Sequence, residues 1–139
     1  MSLYGLSSDG AVIALTAVLP NGTDVYVGLI TSFPVDRSGT GLVEASVAAY
    51  ARVAHQDWLD DDDAGSNIRI NDGAVSFAAL GANLPGVVGF GIWDALTSGV
   101  LLAFGPLLDA DDVQITRSFI TGDQPEFADQ TLKLRLGAA

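Results

Sequence analysis

Short runs of apolar residues alternate with polar turns along most of the chain. Nine runs predict strands, because each is rich in β-branched, aromatic or leucine residues and is bounded by residues that favour turns. They are Ala11–Leu19, Asp24–Thr31, Ala51–His55, Asn67–Ile70, Ala74–Ala78, Val87–Asp94, Val100–Phe104, Val113–Phe119 and Thr131–Leu136. In the last run the leucines occupy one face and Lys133 and Arg135 the other, which is typical of a half-buried strand. The pattern predicts an all-β fold, an antiparallel β-sandwich of eight or nine strands.

Local chemistry adds turns and at most one helix to this pattern. Asn71-Asp72-Gly73 and Pro20-Asn21-Gly22 combine residues that accept positive φ, so each predicts a turn. Leu42–Tyr50 holds three alanines and a charge only at Glu44, which predicts at most one short helix of about two turns. The length of 139 residues predicts a single domain over residues 1–139.

The first residues fall outside the strand pattern. Met1–Asp9 carries the apolar side chains Leu3, Tyr4 and Leu6. One hypothesis is an extended N-terminal arm that contacts a partner by ordering on it or by adding a strand to its sheet edge. The alternative is a frayed terminus. The apolar run that follows lacks the basic flank of a signal peptide, since Asp9 stands where Lys or Arg is expected.

Composition narrows the classes of partner. The formal net charge is −11, with 17 acidic and 6 basic residues, which argues against binding to nucleic acid or to an anionic membrane. Apolar residues make up 49% of the chain, which is high for a small monomer and predicts a homo-oligomer, a dimer or trimer. Gly86–Leu108 is long enough to span a membrane, but Asp94 near its middle favours two strands joined by a turn.

No motif in the sequence predicts catalysis, a cofactor or a metal. The chain has no cysteine, and His55 is its one histidine, without a nucleophile elbow. Asp60–Asp63 could attract calcium, but it lacks the ligand spacing of an EF-hand and favours a solvated acidic loop. The glycines of Gly86–Gly91 lie inside an apolar strand and not before a helix, so they do not predict a phosphate site.

Several blocks of sequence together resemble a family of small tailed-phage virion structural proteins. These proteins are often described as tail-fibre proteins, and related members are similar to capsid decoration, or cement, proteins. The blocks are Val25–Thr31 with Pro34, Glu44 with Tyr50–Val53 and Trp58, Gly91–Ala95 with Gly99, Leu101-Leu102 and Gly105-Pro106-Leu107, and Gly122-Asp123 with Phe127 and the leucines 132, 134 and 136. The likeness spans residues 24–136. At Ala48 and Ala49 the sequence departs from the family pattern, where glycines are expected before Tyr50.

The resemblance implies a jelly-roll-like β-sandwich with no catalytic role. The leading hypothesis is a decoration protein on the outer surface of the capsid, where it binds the major capsid protein and itself and stabilises the head. Its negative charge suits the exterior of a DNA-filled shell. The alternative is a tail-fibre or baseplate component. A second alternative is a carbohydrate-binding β-sandwich module, which requires an exposed aromatic platform from residues such as Trp58 and Trp93.

Overall fold

A computed structural model describes residues 14–60 and 68–135 of the chain. This part contains thirteen short strands: β1 (Val25–Ser32), β2 (Val43–Glu44), β3 (Val53–His55), β4 (Trp58–Asp60), β5 (Ile68–Asn71), β6 (Val75–Ser76), β7 (Leu84–Val87), β8 (Gly89–Trp93), β9 (Leu101–Leu108), β10 (Gln114–Ile115), β11 (Arg117–Phe119), β12 (Glu126–Phe127) and β13 (Lys133–Arg135). The predicted all-β, sandwich-like class with antiparallel pairing is confirmed. The strands outnumber the eight or nine predicted because several contain two residues, and the run Val113–Phe119 forms both β10 and β11.

The chain divides into two compact units, each assembled from separate segments. Unit 1 contains Met1–Asp24, His55–Val75 and Phe127–Ala139. Unit 2 contains Val25–Ala54 and Ser76–Glu126. The single domain over residues 1–139 stays a prediction.

Unit 2 is built around β1, the most apolar strand of the chain. β1 pairs with β8 from Tyr26 to Ile30, and β8 pairs in turn with β9. The strands follow the order β10-β9-β8-β1-β2, and β3 also pairs with β1. Both β1 and β8 lie almost wholly in the core, because neither strand has a charged residue that needs water on either face.

Unit 1 contains a three-stranded sheet in the order β13-β5-β4. Its buried Asn71 satisfies its own side chain through four segments of backbone. The amide nitrogen donates to the carbonyls of Gly73 at 2.7 Å and Ala128 at 3.0 Å, while the amide oxygen accepts from the Leu132 N–H at 2.8 Å. Because a buried amide without partners would be costly, this network fixes the turn at Asn71–Gly73 that the sequence predicts.

Residues 14–18 are helical, so the predicted strand Ala11–Leu19 is wrong over its described part. Leu15 and Leu19 are buried four residues apart, with the Leu19 N–H donating to the Leu15 carbonyl at 2.8 Å. Thr16 and Ala17 between them are exposed. That spacing is the helical period, which a run this short and this apolar does not distinguish from a buried strand. The run ends at Pro20, which does not continue a helix.

Leu42–Tyr50 does not form the helix that its alanines favour. Val43 and Glu44 form β2 on the edge of β1, and the Ala45 N–H donates to the Leu29 carbonyl at 2.9 Å. The chain then turns, with Ala49 at φ 64°. Pairing with β1 therefore overrides the weak local preference for helix.

Gly86–Leu108 has the predicted strand character. β8 and β9 pair directly and are joined by a turn that begins at Asp94. Within residues 14–60 and 68–135, no helix is long and apolar enough to cross a membrane.

Candidate functional site

The most elaborate polar arrangement of unit 2 surrounds the buried guanidinium of Arg52. Arg52 binds the Glu44 carboxylate as a fork, with Nε donating to Oε2 at 2.9 Å and Nη2 to Oε1 at 2.8 Å. The guanidinium carbon lies 3.9 Å from the centroid of the Trp93 ring, so the cation also stacks on an aromatic face. Such two-point pairing fixes orientation as well as contributing energy. We call Glu44, Tyr50, Arg52 and Trp93 the Arg52 cluster.

Tyr50 connects this cluster to the central strand. Its hydroxyl donates to Glu44 Oε2 at 2.7 Å and accepts from the Leu29 N–H at 3.0 Å. Burial, together with the hydrogen bond to Glu44, raises the pKa of Tyr50 well above its ordinary value. The phenol therefore remains a neutral donor at physiological pH, and it holds the carboxylate rather than exchanging protons with a substrate.

Two glycines make room for the cluster beneath the Trp93 ring. A Cβ at Gly28 would lie 2.6 Å from the Tyr50 hydroxyl and 2.8 Å from the Trp93 ring. A Cβ at Gly91 would lie 2.5 Å from the same ring. Because the two glycines are register partners on β1 and β8, together they form a flat surface on which the indole packs.

The free side of the guanidinium holds the loop between β8 and β9. Arg52 Nη1 donates to the carbonyls of Ala95 and Ser98, both at 2.8 Å. Asp94 Oδ1 accepts from the Val100 N–H at 2.6 Å, and Ser98 adopts φ 54°. The loop is thus held at both ends, and it presents Leu96 to solvent. The chemical role that this geometry supports is positioning of a loop.

A second feature of unit 2 is the solvent face of β9. Along most half-buried strands the wet face is polar, as on β13, where Lys133 and Arg135 are exposed. On β9 the more exposed alternate positions are all apolar, and Val100, Leu102 and Leu108 are 60%, 36% and 48% exposed. We call Val100, Leu102, Phe104, Pro106 and Leu108 the β9 face.

The residues singled out in the sequence lie in separate places. Leu3, Tyr4 and Leu6 lie outside the described residues, as do residues 61–63 of the acidic run. Asp60 pairs with Arg69 at 3.0 Å in unit 1. His55 Nε2 lies 2.6 Å from the Asp57 carbonyl, and the imidazole packs edge-on against Trp58.

Two further possibilities from the sequence can be compared with the described residues. Trp58 and Trp93 are both buried, so neither indole is an exposed platform of the kind that a carbohydrate-binding module requires. Across the described ranges, no group of three or more His, Cys, Asp or Glu side chains is placed to hold a metal ion.

The Arg52 cluster is the arrangement that sequence reasoning missed. Its carboxylate is 8 residues from Arg52, but the carbonyls it binds are 43 and 46 residues away, so no local spacing reveals them. A signal was nevertheless present, because the conspicuous blocks of the sequence include Glu44, Tyr50, Arg52 and Trp93 together.

Comparison with protein families adds a finding that covers nearly the whole chain. Residues 12–135 match the family described as podophage GP4 fiber I protein gp80. The chain belongs to this family. No curated protein matches the chain.

Membership in the gp80 family makes the chain a tailed-phage virion structural protein. The coarser part of the resemblance stated from the sequence is therefore confirmed. The matched range includes the whole Arg52 cluster and the whole β9 face. Both features accordingly lie in the part of the chain that the gp80 family shares.

Proposed function

We propose that the chain is a non-enzymatic subunit of a phage fibre, in which it supplies a compact, rigid β domain. The observation that carries the proposal is the match of residues 12–135 to a family described as a fiber protein. The description supports a fibre more directly than the capsid decoration role that the sequence favoured. The same virion would contain the chain in either case.

The polar groups of the described part support a structural role. In the Arg52 cluster the guanidinium is bound to one carboxylate and two carbonyls, and the carboxylate is bound in turn by Tyr50. A general base or a nucleophile needs a reactive atom directed at a substrate, whereas these atoms are directed at each other. We therefore propose no catalytic residue and no cofactor for this chain.

A second candidate is decoration of the capsid exterior, with the major capsid protein and further copies of the chain as partners. The observation that favours it is the formal net charge of −11. A strongly acidic protein is repelled by packaged DNA inside the shell and is better accommodated outside it. The same charge supports the proposal that neither nucleic acid nor an anionic membrane is a partner.

Labelling of intact particles tests the proposal. A phage that encodes the chain with a short epitope tag would be purified, labelled with gold-conjugated antibody and imaged by electron microscopy, with untagged phage as the control. Gold on fibres supports the proposed function. Gold over the whole head surface overturns it in favour of decoration, and absence of the chain from purified particles overturns both.

A further inference from the structure

The β9 face belongs to a long uncharged stretch of an otherwise acidic chain. From Ala95 to Leu108 the sequence contains no Asp, Glu, Lys, Arg or His. The stretch is nevertheless partly in contact with water, since Val100 is 60% exposed and Leu108 48%. A contiguous apolar surface of this kind is characteristic of a contact site in soluble proteins.

The backbone of β9 also offers an edge. From Leu101 to Pro106, β9 pairs with β8 and with no other described strand. The Leu107 N–H donates to the Val88 carbonyl on the β8 side, so strand alternation directs the N–H and C=O of Phe104 away from β8. Pro106 lies at another of these outward positions, which is where an edge strand accommodates a residue without an N–H.

Charge identifies the partner that fits this edge. Two copies of a chain with a net charge of −11 repel each other except where the contact surface is uncharged, and the β9 face is such a surface. One basic side chain, Arg37, lines a shallow depression with Leu101–Phe104. A cation at the rim of a neutral surface complements an acidic partner, and a second copy of the chain is acidic.

We propose that two copies of this chain associate through β9, with their β9 edges antiparallel and their β9 faces in contact. An antiparallel contact of identical strands is self-complementary about a two-fold axis, so each residue meets its own symmetry-related set. It also satisfies the outward backbone groups of Phe104 by adding a strand to the sheet. This inference rests on the proposed function, because a virion subunit works as part of an assembly.

The experiment compares the self-association of three full-length proteins by sedimentation equilibrium. Wild type is measured from about 1 μM to about 1 mM, the range of weak to moderate affinity. The test variant is Val100→Glu with Leu102→Glu, which places two negative charges on each β9 face. The control is Val43→Glu with Ile120→Glu, which adds the same charge at two exposed apolar residues, one of them on β2 at the other end of the sheet order.

Wild type and control should dimerise alike, and the test variant should dimerise at least tenfold more weakly. Equal dimerisation of the test variant and wild type overturns the proposal. So does a wild type that stays monomeric throughout, including one that instead binds another virion protein through Val100 and Leu102. Thermal unfolding of each monomer establishes that the variants are folded.

Amide hydrogen exchange gives a second readout that a merely unstable variant does not imitate. The outward N–H of Phe104 should exchange more slowly as the wild-type concentration rises, and at an unchanged rate in the test variant. Exchange that is independent of concentration in both proteins overturns the β9 pairing. Loss of gold label from the particles, by contrast, overturns the proposed function and leaves a measured dimer unaffected.

Discussion

Each unit contains one buried arginine, and the two arginines are held in different ways. Arg52 in unit 2 is 8% exposed and binds a carboxylate, Glu44, that is 23% exposed. Arg69 in unit 1 is 6% exposed, but its carboxylate, Asp60, is 38% exposed. Arg69 makes a single 3.0 Å bond to Asp60 and one 3.1 Å bond to the Leu19 carbonyl, whereas Arg52 makes a fork, two carbonyl bonds and a stack on Trp93.

The difference shows how the stability of a buried charge depends on its partner. A carboxylate that is itself withdrawn from water depends on the guanidinium, because removing one partner leaves the other buried without compensation. A carboxylate with more access to water can be hydrated when its partner is lost. Arg52 should therefore matter more to its unit than Arg69 does, although the two guanidinium groups are equally buried.

The largest effect is expected for Arg52→Met. Methionine keeps part of the apolar stem but leaves Glu44 and the two loop carbonyls without their donor. The free energy of unfolding should fall by roughly 3 kcal/mol, the lower end of the range for breaking a buried pair, because Glu44 retains some exposure. Urea unfolding followed by tryptophan fluorescence measures it, and a loss below about 1 kcal/mol, the range for surface pairs, would contradict the account.

A smaller loss is expected for Gly28→Ala, which tests how closely the cluster packs on β1. The added Cβ would lie 2.6 Å from the Tyr50 hydroxyl and 2.8 Å from the Trp93 ring. Both groups must shift, which should cost about 1–3 kcal/mol. Gly22→Ala is the comparison for the loss of a glycine, since a Cβ there has no neighbour within 4 Å, although its φ of 81° adds backbone strain. Unfolding in urea should show the Gly28 variant to be less stable than wild type, and an unchanged midpoint would show the cluster to be loosely packed.

Arg69→Met is expected to cost about 1–2 kcal/mol, less than Arg52→Met, because water can replace the guanidinium at Asp60. This experiment is the direct test of the comparison. The two variants change the same side chain to the same residue, so the difference between their unfolding free energies isolates their surroundings. Equal losses, or a greater loss for Arg69→Met, would show that carboxylate exposure does not govern the result.

A gain in stability is expected for Ala49→Gly in the turn that precedes Tyr50. Ala49 has φ 64°, a left-handed conformation that costs an L-residue about 1–2 kcal/mol, whereas glycine adopts it freely. After the entropy that glycine loses on folding, the net gain should be about 0.5–1 kcal/mol. Ala48→Gly is the matched control and should be destabilising. If both variants lose stability in thermal unfolding, the turn at Ala49 is not under strain.

The smallest effect concerns a carboxylate held by backbone groups. The N–H groups of Thr40 and Ser38 donate to Asp36, and the bond from Thr40 is the main reason that its pKa lies below the ordinary 3.8. A lowered pKa means that these bonds are present at neutral pH and are lost as pH falls through the lowered pKa. In an NMR titration the Ser38 and Thr40 amide shifts should change with a midpoint below 3.8. A midpoint at or above that value would contradict the bonding, and Asp36→Asn should abolish the transition.

The strands of unit 2 were predictable because their patterns are local. The runs that became β1, β8 and β9 are apolar, lack internal charge and are separated by turn residues, so their composition alone limits them to buried strands. Their pairing partners, and the exposure of the β9 face, depend on which strands become neighbours. An apolar β9 sequence predicts burial, and only the topology reveals that part of it is in contact with water.

The two errors of assignment have a common cause. Residues 14–18 were expected as strand and are helical, while Leu42–Tyr50 was expected to allow a helix and contains β2. Both segments are short and rich in alanine, so intrinsic preferences of a few tenths of a kcal/mol per residue do not decide between structures. Packing decides instead, through Leu15 and Leu19 in the first segment and through pairing with β1 in the second.

The central claim is that the chain is a fibre subunit whose copies meet through β9. A cryo-electron microscopy reconstruction of the intact phage tests it most directly. The account predicts density for this chain in a fibre, with Val100 and Leu102 covered by a second copy and Leu101–Pro106 paired across the contact. A reconstruction that places the chain elsewhere, or that leaves the β9 face open to solvent in the fibre, would contradict it.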